Sequence, residues 1–419
     1  MTSLVVPGRV AGIEDVLARY PERGRVFVEA LSWGDPVADA VVADLAAHGR
    51  GPGMRRIRRA LAEGIDAVPD ASEPVRRLFA EIDAEPRWLD RDLLDTASRA
   101  YCRHPVAILT ALGTASLVGS YVNGAAVEPL ALTRRFTDRG AVRAFETASW
   151  LWATARPGGL ARYAPGVAAT VRVRLIHAFV RHHILTGLTE GAWDAAELGH
   201  PINQADSAYT LIEFSLIPLR VMGRLGIPHT DRERAAIYHM FRYVGHLMGV
   251  DERVLPTTER DFVELEEIYH RTGARPSAYS RELVAELLDV IMPDNLATQA
   301  GPLAPVMRRA ARPMVHGLAR AFAGDRIADL LDVRRNAWRY LPALLAPPVR
   351  LVNSVQRAVP GEMDRKLRRA LAFVDATTTA TAARLGVGHD LVDAAPDHPA
   401  AGHPAAGHPV GGPPAGPPE

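Results

Sequence analysis

Apolar residues recur at intervals of three and four along most of the chain, and that period predicts helices. VADAVVADLAA (37–47), VRRLFAEIDA (75–84), AVRAFETASWLWATA (141–155), ERAAIYHMFRYVGHLM (233–248), RELVAELLDVIM (281–292) and KLRRALAFVDATTTATAARL (366–385) all follow it. Alternating β-branched runs are scarce. Pro and Gly punctuate the helical segments at RPGG (156–159), GHP (199–201) and GIP (226–228). The apolar stretch 105–132 is interrupted by Gly and polar residues, which predicts a buried helix hairpin rather than a membrane span. The pattern predicts a single large all-α domain over residues 10–388. Residues 389–419 form a Pro/Gly/His-rich tail with a short AAGHP repeat. It is too poor in apolar residues to fold, so disorder is expected. Its histidines, His398, His403 and His408, belong to that linker-like composition.

One helical run departs from simple amphipathicity. RVRLIHAFVRHHILTG is apolar nearly all round, which predicts burial on both sides, yet it carries His177 at its centre. At 100° per residue His177 shares a face with Thr170, Val173, Val180, Arg181 and Ile184, and Arg174 and Arg181 lie one turn to either side. Two roles compete. His177 is a core histidine bonded to a carbonyl, with the arginines paired to Asp or Glu. Alternatively it is a metal or haem-iron ligand, with the arginines meeting propionates. A haem iron needs one axial donor within apolar walls, whereas zinc or non-haem iron needs further ligands at fixed spacing. No HExxH is present, and His182 and His183 point elsewhere on the wheel. A second helix sets Arg143, Thr147, Trp150 and Thr154 on one face with Glu146 beside them. That face is either a pocket wall or an ordinary surface with an Arg–Glu pair.

Composition removes some chemistry. The formal net charge of +1 gives no electrostatic case for nucleic acid or an anionic membrane. Of 49 basic residues only Lys366 is a lysine, so a catalytic amine is nearly unavailable. The single cysteine, Cys102, excludes an intramolecular disulfide and a thiolate metal cluster, and a buried structural thiol is expected. The first residues lack a cationic segment followed by an apolar one, so no secretory signal is read and a cytoplasmic location is expected.

Several segments together resemble the latex-clearing protein (rubber oxygenase) family and the related MpaB-like oxygenases. They are WGDPVADAVV (33–42), AYCRHPVAILTALGTASLVGSYVNGAAVEPLALTRRF (100–136), RAFETASWLWATARPGGL (143–160), the His177 run, PINQADSAYTLIEFS (201–215) and YHMFRYVGHLMGV (238–250). The most specific element is R-x-x-x-T followed, thirty residues after the Thr, by the histidine. The resemblance implies an all-helical fold with a globin-like core and non-covalently held haem b. It makes His177 the proximal iron ligand and places Arg143 and Thr147 on the haem-pocket helix. It implies an oxygenase or oxidase acting with O₂ (or peroxide) on a small lipophilic molecule, in secondary metabolism. Arg174 and Arg181 would meet the propionates.

The chain departs from the family pattern in places. A lysine precedes the threonine in rubber oxygenases, and here that position is Glu146. The family's proposed catalytic base aligns with Val127, with Glu128 adjacent. Glu146 or Glu128 would then handle a proton if burial raised its pKa. With no export signal read, polymeric rubber outside the cell is not the expected substrate. Phe214, Phe241 and Tyr243 are candidate substrate walls, and His239 and His246 candidate distal or propionate partners, with core packing the alternative for each. The other functional classes are a haem-binding protein without turnover and a cofactor-free helical scaffold.

Overall fold

The computed structural model describes residues 4–132, 140–187, 192–297 and 303–387, and every regular element among them is helical. The helices expected from periodicity are all present. They include Pro36–His48, Glu73–Asp83, Gly140–Ala155, Asp231–Leu247 and Glu362–Leu385. The expected tail, 389–419, lies outside the described residues.

The stretch 105–132 forms the bent pair Pro105–Tyr121 and Gly124–Leu132, with an angle of 99° between them. No single described helix is long and apolar enough to cross a membrane. The bend depends on Gly124. A Cβ there would lie 2.8 Å from the Arg275 carbonyl oxygen and the Ser277 nitrogen, so only glycine lets the corner close on that loop. Within Pro105–Tyr121 the turn Leu112–Ser116 is a π turn, and all five of its residues are buried. Gly113 there faces Met292, whose Sδ would sit 2.2 Å from an added Cβ.

The helix Pro165–Thr186 runs through the middle of the molecule. It packs against Pro36–His48, Gly124–Leu132, Gly140–Ala155 and Asp231–Leu247. Its position is fixed by charge. Asp35 caps the helix Pro36–His48, accepting the Ala38 N–H at 3.1 Å ahead of Pro36 at the first position. The same carboxylate takes both prongs of Arg174, from Nε at 2.6 Å and from Nη2 at 2.9 Å. The two side chains are 8% and 2% exposed. Glu81 adds a third contact to Arg174 at 3.0 Å. One turn on, Asp39 holds Arg181 at 2.6 Å, and Arg181 also donates to the Ile202 carbonyl at 3.0 Å. Spaced four apart on one helix, Asp35 and Asp39 clamp two arginines seven apart on the other, with His177 between them.

Removing one partner of a buried ion pair strands a charge, which costs about 3–5 kcal/mol. Asp35→Asn keeps a competent helix cap but loses the charge, so it isolates this term. We expect Asp35→Asn to lower unfolding free energy by about 3–5 kcal/mol in denaturant titrations. Asp39→Asn should cost less, because the Asp39 side chain is 35% exposed.

Candidate functional site

His177 lies on a helix whose side chains are not all enclosed. Leu175 and Ala178 on the same helix are buried, whereas Val173, Ile176, His177, Phe179 and Val180 are only half-buried. Half-buried apolar side chains also mark Gly124–Leu132 (Ala125, Ala126, Leu130) and the start of Gly140–Ala155 (Val142, Phe145). Phe179 is on the far side of the helix, under the Arg50 guanidinium at 4.3 Å, so Val173, Ile176 and Val180 are the half-buried apolar residues nearest His177 on this helix.

His177 itself makes no hydrogen bond among the described residues. Burial, with Arg181 and Arg143 nearby, depresses its pKa to about 4 against a smaller opposing effect of Asp35. The ring is therefore neutral at pH 7, with a lone pair available. Among the described residues no three His, Cys, Asp or Glu side chains converge as a metal site. A lone neutral histidine suits a metal that brings its other ligands with it, and a haem iron is of that kind.

Arg143 lies close enough to influence the titration of both His177 and Tyr121, and so joins the helix Gly140–Ala155 to this region. Thr147 is half-buried on the same helix. Further along, Trp150 donates its indole N–H to the Thr170 hydroxyl at 3.1 Å, and Thr154 lies 3.4 Å from the same hydroxyl. Those two links bolt the Arg143 helix to the His177 helix. Trp150 also meets Phe214 edge to face, with ring centroids 4.9 Å apart.

Other expected residues fall elsewhere. Arg174 and Arg181, offered to propionates by the sequence, spend their charge on Asp35, Glu81 and Asp39, the internal pairing that was the alternative. Glu146 is exposed on its helix. Glu128 is half-buried and acts on Tyr279. Phe241 is fully buried against Tyr101 and is core rather than wall. Phe214 stays half-buried between Trp150 and Phe241. Tyr243, His239 and His246 gather around Trp88, and His239 accepts the Asp90 N–H at 2.9 Å. Cys102 is a buried thiol that donates to the Ala155 carbonyl at 3.3 Å, with burial pushing its pKa up to about 12.

The structure adds a residue that sequence reasoning passed over. Glu213 is 4% exposed, and its Oε1 has no partner. Burial pushes its pKa up to about 8, opposed by a hydrogen bond from Ser120. Its backbone carbonyl accepts Ser116 of the π turn at 2.6 Å. A signal existed: Glu213 stands between Ile212 and Phe214, a carboxylate in an apolar run, as His177 is an imidazole in one.

Comparison with known proteins agrees with this fold. The family model for the catalytic domain of "ER-bound oxygenase mpaB/B'/Rubber oxygenase" matches residues 99–352, more than half of the chain. A solved structure of latex clearing protein LCP in its closed state superposes with a TM-score of 0.55 at 18% identity, covering 82% of this chain and 91% of that one. No curated protein matches.

Glu213 holds its proton in the folded state up to about pH 8, whereas a free glutamate ionises near 4.5. Its burial therefore costs stability increasingly as pH rises across that window. Glu213→Gln has no proton to hold. Urea unfolding at pH 5 and pH 8 should show the variant gaining on the wild type at the higher pH.

Proposed function

We propose that this chain, which belongs to the family of mpaB and rubber oxygenase catalytic domains, oxygenates a small lipophilic molecule with O₂, using haem b held by His177. Family membership supports the oxygenase activity. The finer reading rests on His177: a neutral, half-buried ring with no hydrogen-bond partner among the described residues. A core histidine would be expected to find such a partner, since a stranded buried polar group costs roughly 1–3 kcal/mol. When bound, haem supplies the capacity to activate O₂ and leaves the protein to position, shield and manage protons.

The chain's own residues divide those tasks. The Asp35 and Asp39 clamp fixes the rotation of the His177 helix and so the direction of the donor nitrogen. Arg143 and Thr147, matching the family's R-x-x-x-T, would border the macrocycle from the neighbouring helix. Arg143 supplies positive charge near His177 and Tyr121. Val173, Ile176 and Val180 present half-buried apolar surface beside His177, which supports a lipophilic substrate. Glu213, protonated at pH 7, holds an acidic proton beside Tyr121 on the π-turn side of the region.

The test is optical. The full chain, purified and reconstituted with haem, should show a Soret band that shifts on dithionite reduction. His177→Ala should lose or displace that band while keeping its helical circular dichroism. A wild type that stays colourless after reconstitution would return His177 to the core and leave a cofactor-free scaffold.

A further inference from the structure

A cavity of about 540 Å³ lies apart from the residues described around His177, and its size falls within the ~300–1,000 Å³ of small-molecule sites. None of the described residues of Gly140–Ala155 or Pro165–Thr186, the helices of Arg143 and His177, lines it. Ala115 and Gly119, one turn apart on Pro105–Tyr121, leave it room because their side chains are small. Val221, Phe322 and Ile327 give it apolar wall. Its charged groups do not cancel. Arg220 and Arg224 stand one turn apart on the helix Leu216–Arg224, and Glu266 and His270 one turn apart on Glu259–Gly273. Arg220 pairs with Glu266, which accounts for one charge of each sign. Arg224 donates to the Ala321 carbonyl and makes no ion pair among the described residues, so its charge is left over.

His270 carries the argument further. Its Nε2 lies 3.2 Å from the Tyr209 hydroxyl, and its Nδ1 is enclosed with no hydrogen-bond partner among the described residues. The Tyr209 hydroxyl reaches no other partner among those residues, so it donates to Nε2. The reverse arrangement would leave two buried groups unsatisfied instead of one. Nδ1 then carries the ring proton and lacks an acceptor. Burial, followed by Arg326 and Arg220, depresses the His270 pKa to about 4, so the ring is neutral at pH 7. An unanswered N–H and an unpaired guanidinium on an otherwise apolar cavity call for an oxygen anion with an apolar body. We propose that this cavity binds a small lipophilic acid, its carboxylate met by Arg224 and His270 and its chain by Val221, Phe322 and Ile327. Binding there requires neither haem nor His177.

Isothermal titration calorimetry of the full chain tests it, with decanoate, decanol and decylammonium, each kept below the concentration at which it aggregates. Decanoate should bind about tenfold or more tighter than decanol, the worth of a charge-assisted contact, and decylammonium should bind weakest. A Cβ added at Gly119 would lie 3.5 Å from the Tyr209 hydroxyl oxygen and 4.0 Å from His270 Cε1, the ring carbon next to Nδ1. Both are ordinary contact distances, so Gly119→Met is admitted and extends into the cavity. It should cut decanoate affinity about tenfold or more, with unchanged circular dichroism. Arg224→Gln should bring decanoate down toward the affinity of decanol without changing decanol binding, and carries the test if Gly119→Met fails to fold. Absence of decanoate binding overturns the proposal. So does decanol or decylammonium binding as tightly as decanoate, and so does decanoate binding that either folded variant leaves unchanged, which would put the acid elsewhere on the chain.

Discussion

The bidentate pair between Asp35 and Arg174 organises the centre of this molecule. An arginine on an interior helix has a large desolvation cost, and only a fixed carboxylate makes the position tolerable. Asp35 is fixed because it is also a helix cap, held by the Ala38 N–H and by Pro36. One carboxylate thus ends a helix, neutralises a buried cation and sets the rotation of the helix that carries His177. Asp39 repeats the contact one turn later, so the rotation is determined at two points rather than one.

Helical periodicity was legible because it depends only on neighbours three and four apart. Every long helix it indicated is present, but the helix hairpin read within 105–132 is a 99° bend, because the chain turns at Gly124 against the Arg275 loop. Ion-pair partners were not legible. Asp35 and Asp39 stand in one of the segments that carry the family resemblance, but Arg174 lies 139 residues from Asp35. With 49 basic and 48 acidic residues, composition offers no means of choosing partners. Burial of single side chains was legible only in part. Glu146 lies beside the face of Arg143 and Thr147, yet its neighbours leave it exposed. Glu213 met the same criterion as His177, an ionisable group among apolar neighbours, and in its case the structure shows the burial.

The helix Leu341–Ala358 marks a different limit. Its period announces that one face is apolar, but period alone does not say whether that face looks inward or outward. Only the tertiary placement of Asn353 and Arg357 against Lys366 and Glu233 decides it, and leaves Leu344 and Leu351 exposed.

The π turn at Leu112–Ser116 decides where this segment can change in length. A π turn fits one more residue than an α turn into about the same rotation and rise. Losing a single residue there would restore a regular α turn and leave the helix after it near its present orientation. Losing one from the α-helical turns on either side would instead swing everything after it by about 100°. Tyr121 would then leave the neighbourhood of Arg143, and the corner at Gly124 would no longer meet the Arg275 loop. A one-codon deletion is absorbed inside the π turn and nowhere else along Pro105–Tyr121.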